Sequence, residues 1–135
     1  MLKPLLASSL LAIMMQGCFT SEPPKCSDDD VKVTLNEVYG QLFTNSQQNI
    51  FLAAFMKNLP KNIDSFSSIR ATAYDETVKM RSCKADVTFE NNQTATIEYS
   101  VQLNEENSDE FYVELNPDFL EGLMQQSFMQ GILSK

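Results

Sequence analysis

From Phe66 onward the helical period gives way to segments in which apolar residues recur at every second position, and this alternation constrains the fold more than any other feature of the chain. "SSIRATAY" puts Ile69, Ala71 and Ala73 on one side. "VKMRSCKADVTFE" puts Cys83, Ala85, Val87 and Phe89 on one side, with Lys84, Asp86, Thr88 and Glu90 opposite. "TATIEYSVQL" has Ala95, Ile97, Tyr99, Val101 and Leu103 inward, and "FYVEL" has Phe111, Val113 and Leu115 inward. A period of two is that of a strand with one buried face. The links at Asp75–Thr77, Asn91–Gln93 and Asn104–Glu110 are short and polar. A parallel crossover needs a dozen or more residues, so consecutive strands must lie antiparallel as a four-stranded meander. One face is then covered and the other is wet. On the wet side the charges of Glu90, Glu98 and Glu114 are expected to be offset by Arg70, Lys79, Arg81 and Lys84.

Helical patterns flank the strands. "CSDDDVKVTLNEVYGQLF" offers Ser27 as an N-cap, Asp30 in the capping-box position and carboxylates in the first turn. Val31, Leu35, Val38 and Leu42 form its apolar stripe. "NSQQNIFLAAFMKNLP" predicts a second helix, capped by Asn45 or Ser46 and closed by Pro60. Ile50–Met56 is apolar on almost every side. One face can enter the core, and the rest can form an exposed patch whose candidate partner contacts are Phe51, Phe55 and Met56. "NPDF" opens a last helix, with Asn116 as cap and Pro117 at its first position. Phe119, Leu120, Leu123, Met124, Phe128, Ile132 and Leu133 form its apolar face, widened by Met129. This face is expected to pack on the sheet, an adaptable binding groove being the alternative use of its Met and Phe residues. The expected fold is α+β over residues 27–135: two N-terminal helices, a four-stranded antiparallel meander sheet, and a C-terminal helix packed on one face. This order of elements resembles that of cystatin-like and related small folds.

Composition removes several functions. The chain has 135 residues, enough for one domain. Ten basic residues against eighteen acidic ones leave a net charge of -8, which argues against phosphate backbones as a partner. There is no His, so the commonest general base and metal ligand are missing. No Ser is followed three residues later by Lys, as a Ser–Lys dyad of the SxxK kind requires. Carboxylate pairs such as Asp75-Glu76 and Glu105-Glu106 fall in turns, where water solvates them. Asp28–Asp30 lacks the spacing, Gly and distal Glu of a calcium loop. The expectation is a protein that is not an enzyme and uses no cofactor and no metal.

The N-terminus is the most specific motif. Lys3 precedes an apolar run, Leu5–Met15, too short to span a bilayer as a permanent helix. It ends in Met15-Gln16-Gly17-Cys18. "MQGC" resembles the lipobox of bacterial lipoproteins. The resemblance covers the first eighteen residues and implies a signal peptide over 1–17, removed by the type II signal peptidase. It also implies diacylation of the Cys18 thiol, with the new amino terminus usually acylated as well. Each buried methylene contributes about 0.8 kcal/mol, so two or three acyl chains anchor stably where one does not. The residue after Cys18 is Phe19 rather than Asp. Since Asp there resembles an inner-membrane retention signal, the outer membrane is the expected address. Residues 18–26 then read as a lipidated tether stiffened by Pro23 and Pro24.

With Cys18 acylated, Cys26 and Cys83 remain. In an exported chain they are expected to form one disulfide. A metal or redox pair is the alternative, but there is no CxxC spacing and no His to complete a zinc site. Functionally, the expectation is a non-catalytic accessory module of the cell envelope. It is held to membrane lipid through Cys18 and docks to an envelope protein. The alternatives are a structural envelope lipoprotein without a single partner, or a periplasmic enzyme inhibitor. "RSCKAD" matches neither of the short loop motifs that lysozyme inhibitors resemble one another by.

Overall fold

The computed structural model describes residues 22–46, 54 and 56–133. In chain order the elements are α1 (Asp29–Ser46), β1 (Ile63–Asp75), β2 (Met80–Phe89), β3 (Thr94–Leu103), β4 (Phe111–Leu115) and α2 (Phe119–Leu133). The strands form one open antiparallel sheet in the order β1-β2-β3-β4. This is the α+β meander with a C-terminal helix that alternation and link length require.

The N-terminal helices differ from expectation. α1 runs through Asn45 and Ser46, so these two close the first helix rather than open a second. Of the expected second helix, Ala54 and Met56 have helical backbone. Residues 47–53 and 55, including Phe51 and Phe55, lie outside the described residues, as does Cys18. The cap of α1 is Asp28, not Ser27: its carboxylate accepts the Asp30 N–H at 3.0 Å, and its carbonyl takes the first helical bond from Lys32.

The core lies between the helices and one face of the sheet. Val31, Leu35, Tyr39 and Phe43 of α1 are buried, a strict i, i+4 row. Val38 and Leu42, expected in that row, lie beside it and are half-buried. Tyr39 can occupy the row because its hydroxyl donates to the Pro60 carbonyl. Its ring meets Phe43 edge-on at 5.2 Å and packs against Phe89 and Phe119. From the sheet come Cys83, Ala85, Val87 and Phe89 of β2 and Ile97, Tyr99 and Val101 of β3, and from α2 comes Leu123. On the wet face Lys84 and Glu98 are direct cross-strand partners with a 3.5 Å ion pair.

β1 breaks the expected alternation. Its register with β2 shifts between Ile63 and Ser65, between Ser67 and Arg70, and between Ala71 and Ala73. Ala71 therefore opposes the buried Cys83 while itself staying exposed, and Ala73 opposes Ser82 on the wet side. Ser68 takes a left-handed φ of 51° within the second irregularity. Such bulges twist an edge strand and interrupt the row of free backbone groups it would offer to another chain.

The start of β1 is fastened to both neighbours. The Asn36 side chain on α1 donates to the Ile63 carbonyl at 3.1 Å and accepts the Ile63 N–H at 3.0 Å. Glu90, just past β2, accepts the Lys61 N–H at 2.9 Å and the Asn62 amide at 3.3 Å. These donors hold the Glu90 carboxyl below the usual carboxylate range, the Lys61 N–H contributing most.

Candidate functional site

The segment expected to be an extended tether is bound to the domain from Glu22 onward. Cys26 and Cys83 form a disulfide that joins this strap to β2. The Tyr99 hydroxyl on β3 donates to the Cys26 carbonyl at 2.8 Å. Burial pushes the Tyr99 pKa up to about 12. Farther out, Arg81 of β2 reaches back to three consecutive strap residues. Its Nε donates to the Pro24 carbonyl at 3.2 Å and its Nη2 to the Pro23 carbonyl at 3.1 Å. The same Nη2 lies 3.5 Å from the Glu22 carboxylate. The guanidinium also sits over the Tyr74 ring, 5.2 Å from its centre. Proline has no N–H, so its carbonyl is the only backbone hydrogen-bonding group each of Pro23 and Pro24 can offer. A planar fork of donors suits two adjacent carbonyls. Pro23 itself is buried.

Arg81 shares the parity of Cys83 along β2, so it lies on the covered side rather than among the wet-face charges where it was expected. There its partners are the strap residues Glu22, Pro23 and Pro24. The alternation that placed Cys83 inward carried this signal, two residues upstream.

A second feature lies on α2. Phe128 and Met129, expected in the core, are 68 % and 51 % exposed. Of the expected face, Leu123 is buried while Phe119, Leu120 and Met124 are half-buried. Beyond these apolar contacts, α2 is anchored by a polar one. Gln93, 4 % exposed in the β2–β3 turn, directs its amide toward Gln126 at 3.4 Å and Ser127 at 3.3 Å. Gln126 in turn donates to the Thr94 carbonyl at 3.2 Å. Those bonds turn Gln126 and Ser127 toward the sheet and leave Phe128 facing out. An apolar groove results, lined by Ala54, Asn58, Pro117, Leu120, Met124 and Phe128 and rimmed by Asp118 and Glu121. Met56, expected as an exposed contact, is instead 3 % exposed and belongs to the core. It offers no surface to a partner, because a small domain draws its flexible apolar side chains inward to fill gaps.

Among the described residues no group of three or more acidic or cysteine side chains is placed to hold a metal ion, and no helix is long and apolar enough to cross a membrane. Comparison of the chain with protein-family models, with curated proteins and with solved structures finds no match.

Proposed function

We propose that this chain is a lipid-anchored bacterial envelope protein that acts without catalysis, by docking an envelope protein into the groove on α2. Phe128 carries this reading: a large aromatic side chain left 68 % exposed beside half-buried Leu120 and Met124. Aromatic and Met side chains in a patch that can be desolvated carry binding energy in protein interfaces. Asp118 and Glu121 at the rim, within a chain of net charge -8, suit a partner with apolar side chains ringed by Lys or Arg. The membrane anchor is Cys18, and Phe19 after it favours the outer membrane. The lack of any His and of an SxxK pair supports a role outside catalysis. The arrangement of helices against an antiparallel meander supports placing the fold among cystatin-like folds.

A photo-crosslinking amino acid at Gln125, on the groove, tests the reading in cells. The expected result is one discrete protein adduct that Phe128→Ser abolishes, with the same residue at Thr96 on the wet face giving none. No adduct, or an adduct indifferent to Phe128→Ser, would favour a structural lipoprotein without a single partner.

A further inference from the structure

We propose that the strap orients the domain on its membrane: the β1–β2 turn and the β3–β4 loop are held next to the bilayer, and the Phe128 groove stands clear of it. This rests on the reading of Cys18 as the lipidated residue. Three residues lie between Cys18 and Glu22, so four Cα-to-Cα steps of at most ~3.6 Å each keep Glu22 within ~14 Å of the anchoring cysteine. A free tether would continue flexibly to the domain. Here the chain is held to the domain from Glu22 onward, because Arg81 binds Glu22, Pro23 and Pro24.

The clamp sits at one end of the sheet. Arg81 is the second residue of β2, opposite Tyr74 of β1 and Val101 of β3. Tyr74 leads into the turn at 76–79, and Val101 is two residues from the end of β3. The Leu103 N–H donates to the Lys79 carbonyl at 3.1 Å, tying the turn to the strand that feeds the β3–β4 loop. The other end of β2, at Phe89, is eight residues away, or roughly 26 Å at ~3.3 Å per residue. Gln93, which anchors Ser127 beside Phe128, lies at that distant end. The link to the lipid is thus shorter than the sheet is long, and it attaches at the end away from Phe128, while the Pro117 end of the groove lies nearer the strap, level with Cys83 and Tyr99.

Attraction does not hold the near end down. Asp75, Glu76, Glu105, Glu106, Asp109 and Glu110 outnumber Lys79 and Arg81 there, so anionic lipid repels it. The covalent strap is what keeps it close.

The test uses the lipidated full-length protein in phosphatidylcholine vesicles carrying a nickel-chelating headgroup. A nitroxide is placed at Glu76→Cys or at Gln125→Cys. With Cys18 acylated and Cys26 bonded to Cys83, the introduced thiol is the only free one. Nickel at the bilayer surface is expected to enhance relaxation at position 76 at least several-fold more than at position 125. Equal or reversed enhancement overturns the proposal. Two variants test the cause: Arg81→Ala, and insertion of twelve Gly/Ser residues between Ser21 and Glu22, which leaves the fold untouched. Both should shrink the contrast between the two positions, and an unchanged contrast in the insertion variant overturns the strap's role. Palmitate labelling of the same preparations separates the two readings. No label overturns the anchor at Cys18 and the orientation with it, whereas label with equal relaxation overturns the orientation alone.

Discussion

Arg81 makes charge-assisted hydrogen bonds to two proline carbonyls, and its side chain is only 17 % exposed. Truncating it leaves both carbonyls without their donor. Arg81→Ala should therefore lower stability by about 1.5–3 kcal/mol, read from urea denaturation. Arg81→Lys should recover less than half of that, because a single ammonium cannot serve two carbonyls as a fork does. Full recovery by Lys would reduce the clamp to a simple charge. Tyr99 gives a second residue-scale prediction. Its ionisation is raised from 10.0 to about 12 in the folded protein, so folding favours the neutral phenol. The stability this contributes is complete below pH ~10 and is lost as pH rises through about 12. Tyr99→Phe should cost about 1 kcal/mol at neutral pH, where it strips the Cys26 carbonyl of its donor. It should also make the decline between pH 10 and 12 shallower, and an unchanged alkaline profile would remove Tyr99 from that account.

The disulfide and the turns act at the scale of elements. Cys26–Cys83 closes a separation of 57 residues, for which loop entropy gives about 4 kcal/mol. The paired Cys26→Ala, Cys83→Ala variant should lose roughly 2–5 kcal/mol and release the strap to proteolysis near Lys25. Lys79 holds a left-handed φ of 54° in the β1–β2 turn, a conformation disfavoured for a residue with a Cβ. Lys79→Gly should raise stability by about 0.5 kcal/mol, the relief of strain being partly offset by the freedom glycine gains when unfolded. The sheet was legible because its pattern is redundant: a one-residue slip of β3 would turn Ile97, Tyr99 and Val101 together to the wet face. β1 was less legible, since Ser65, Ser67 and Ser68 carry no preference for either face and so do not announce a bulge. Tyr39 and Phe43 were missed because Val38 and Leu42 give an equally apolar row one position away. Gln93 resembled an ordinary turn residue, and only its tertiary bonds to α2 reveal that it directs Phe128 outward. The Arg81 clamp depended on a contact 57 residues away in sequence, which no local pattern encodes.

Across the whole molecule, apolar side chains divide into those the fold needs and those it leaves out. Leu35→Ala should cost about 2–5 kcal/mol, because the site is fully buried between α1 and the sheet. Phe128→Ser should change stability by less than about 0.5 kcal/mol, as expected for a surface position. If Phe128→Ser destabilised as strongly as Leu35→Ala, the groove on α2 would belong to the core and not to a partner. The division matters only if the domain is held at a membrane, where a partner in the envelope can meet it. Intact mass analysis of the mature N-terminus tests that claim most directly. The account predicts a chain that begins at Cys18 and carries two or three acyl groups, and a Cys18→Ser variant that carries none. A chain beginning at another residue, or a Cys18 with a free thiol, would contradict it.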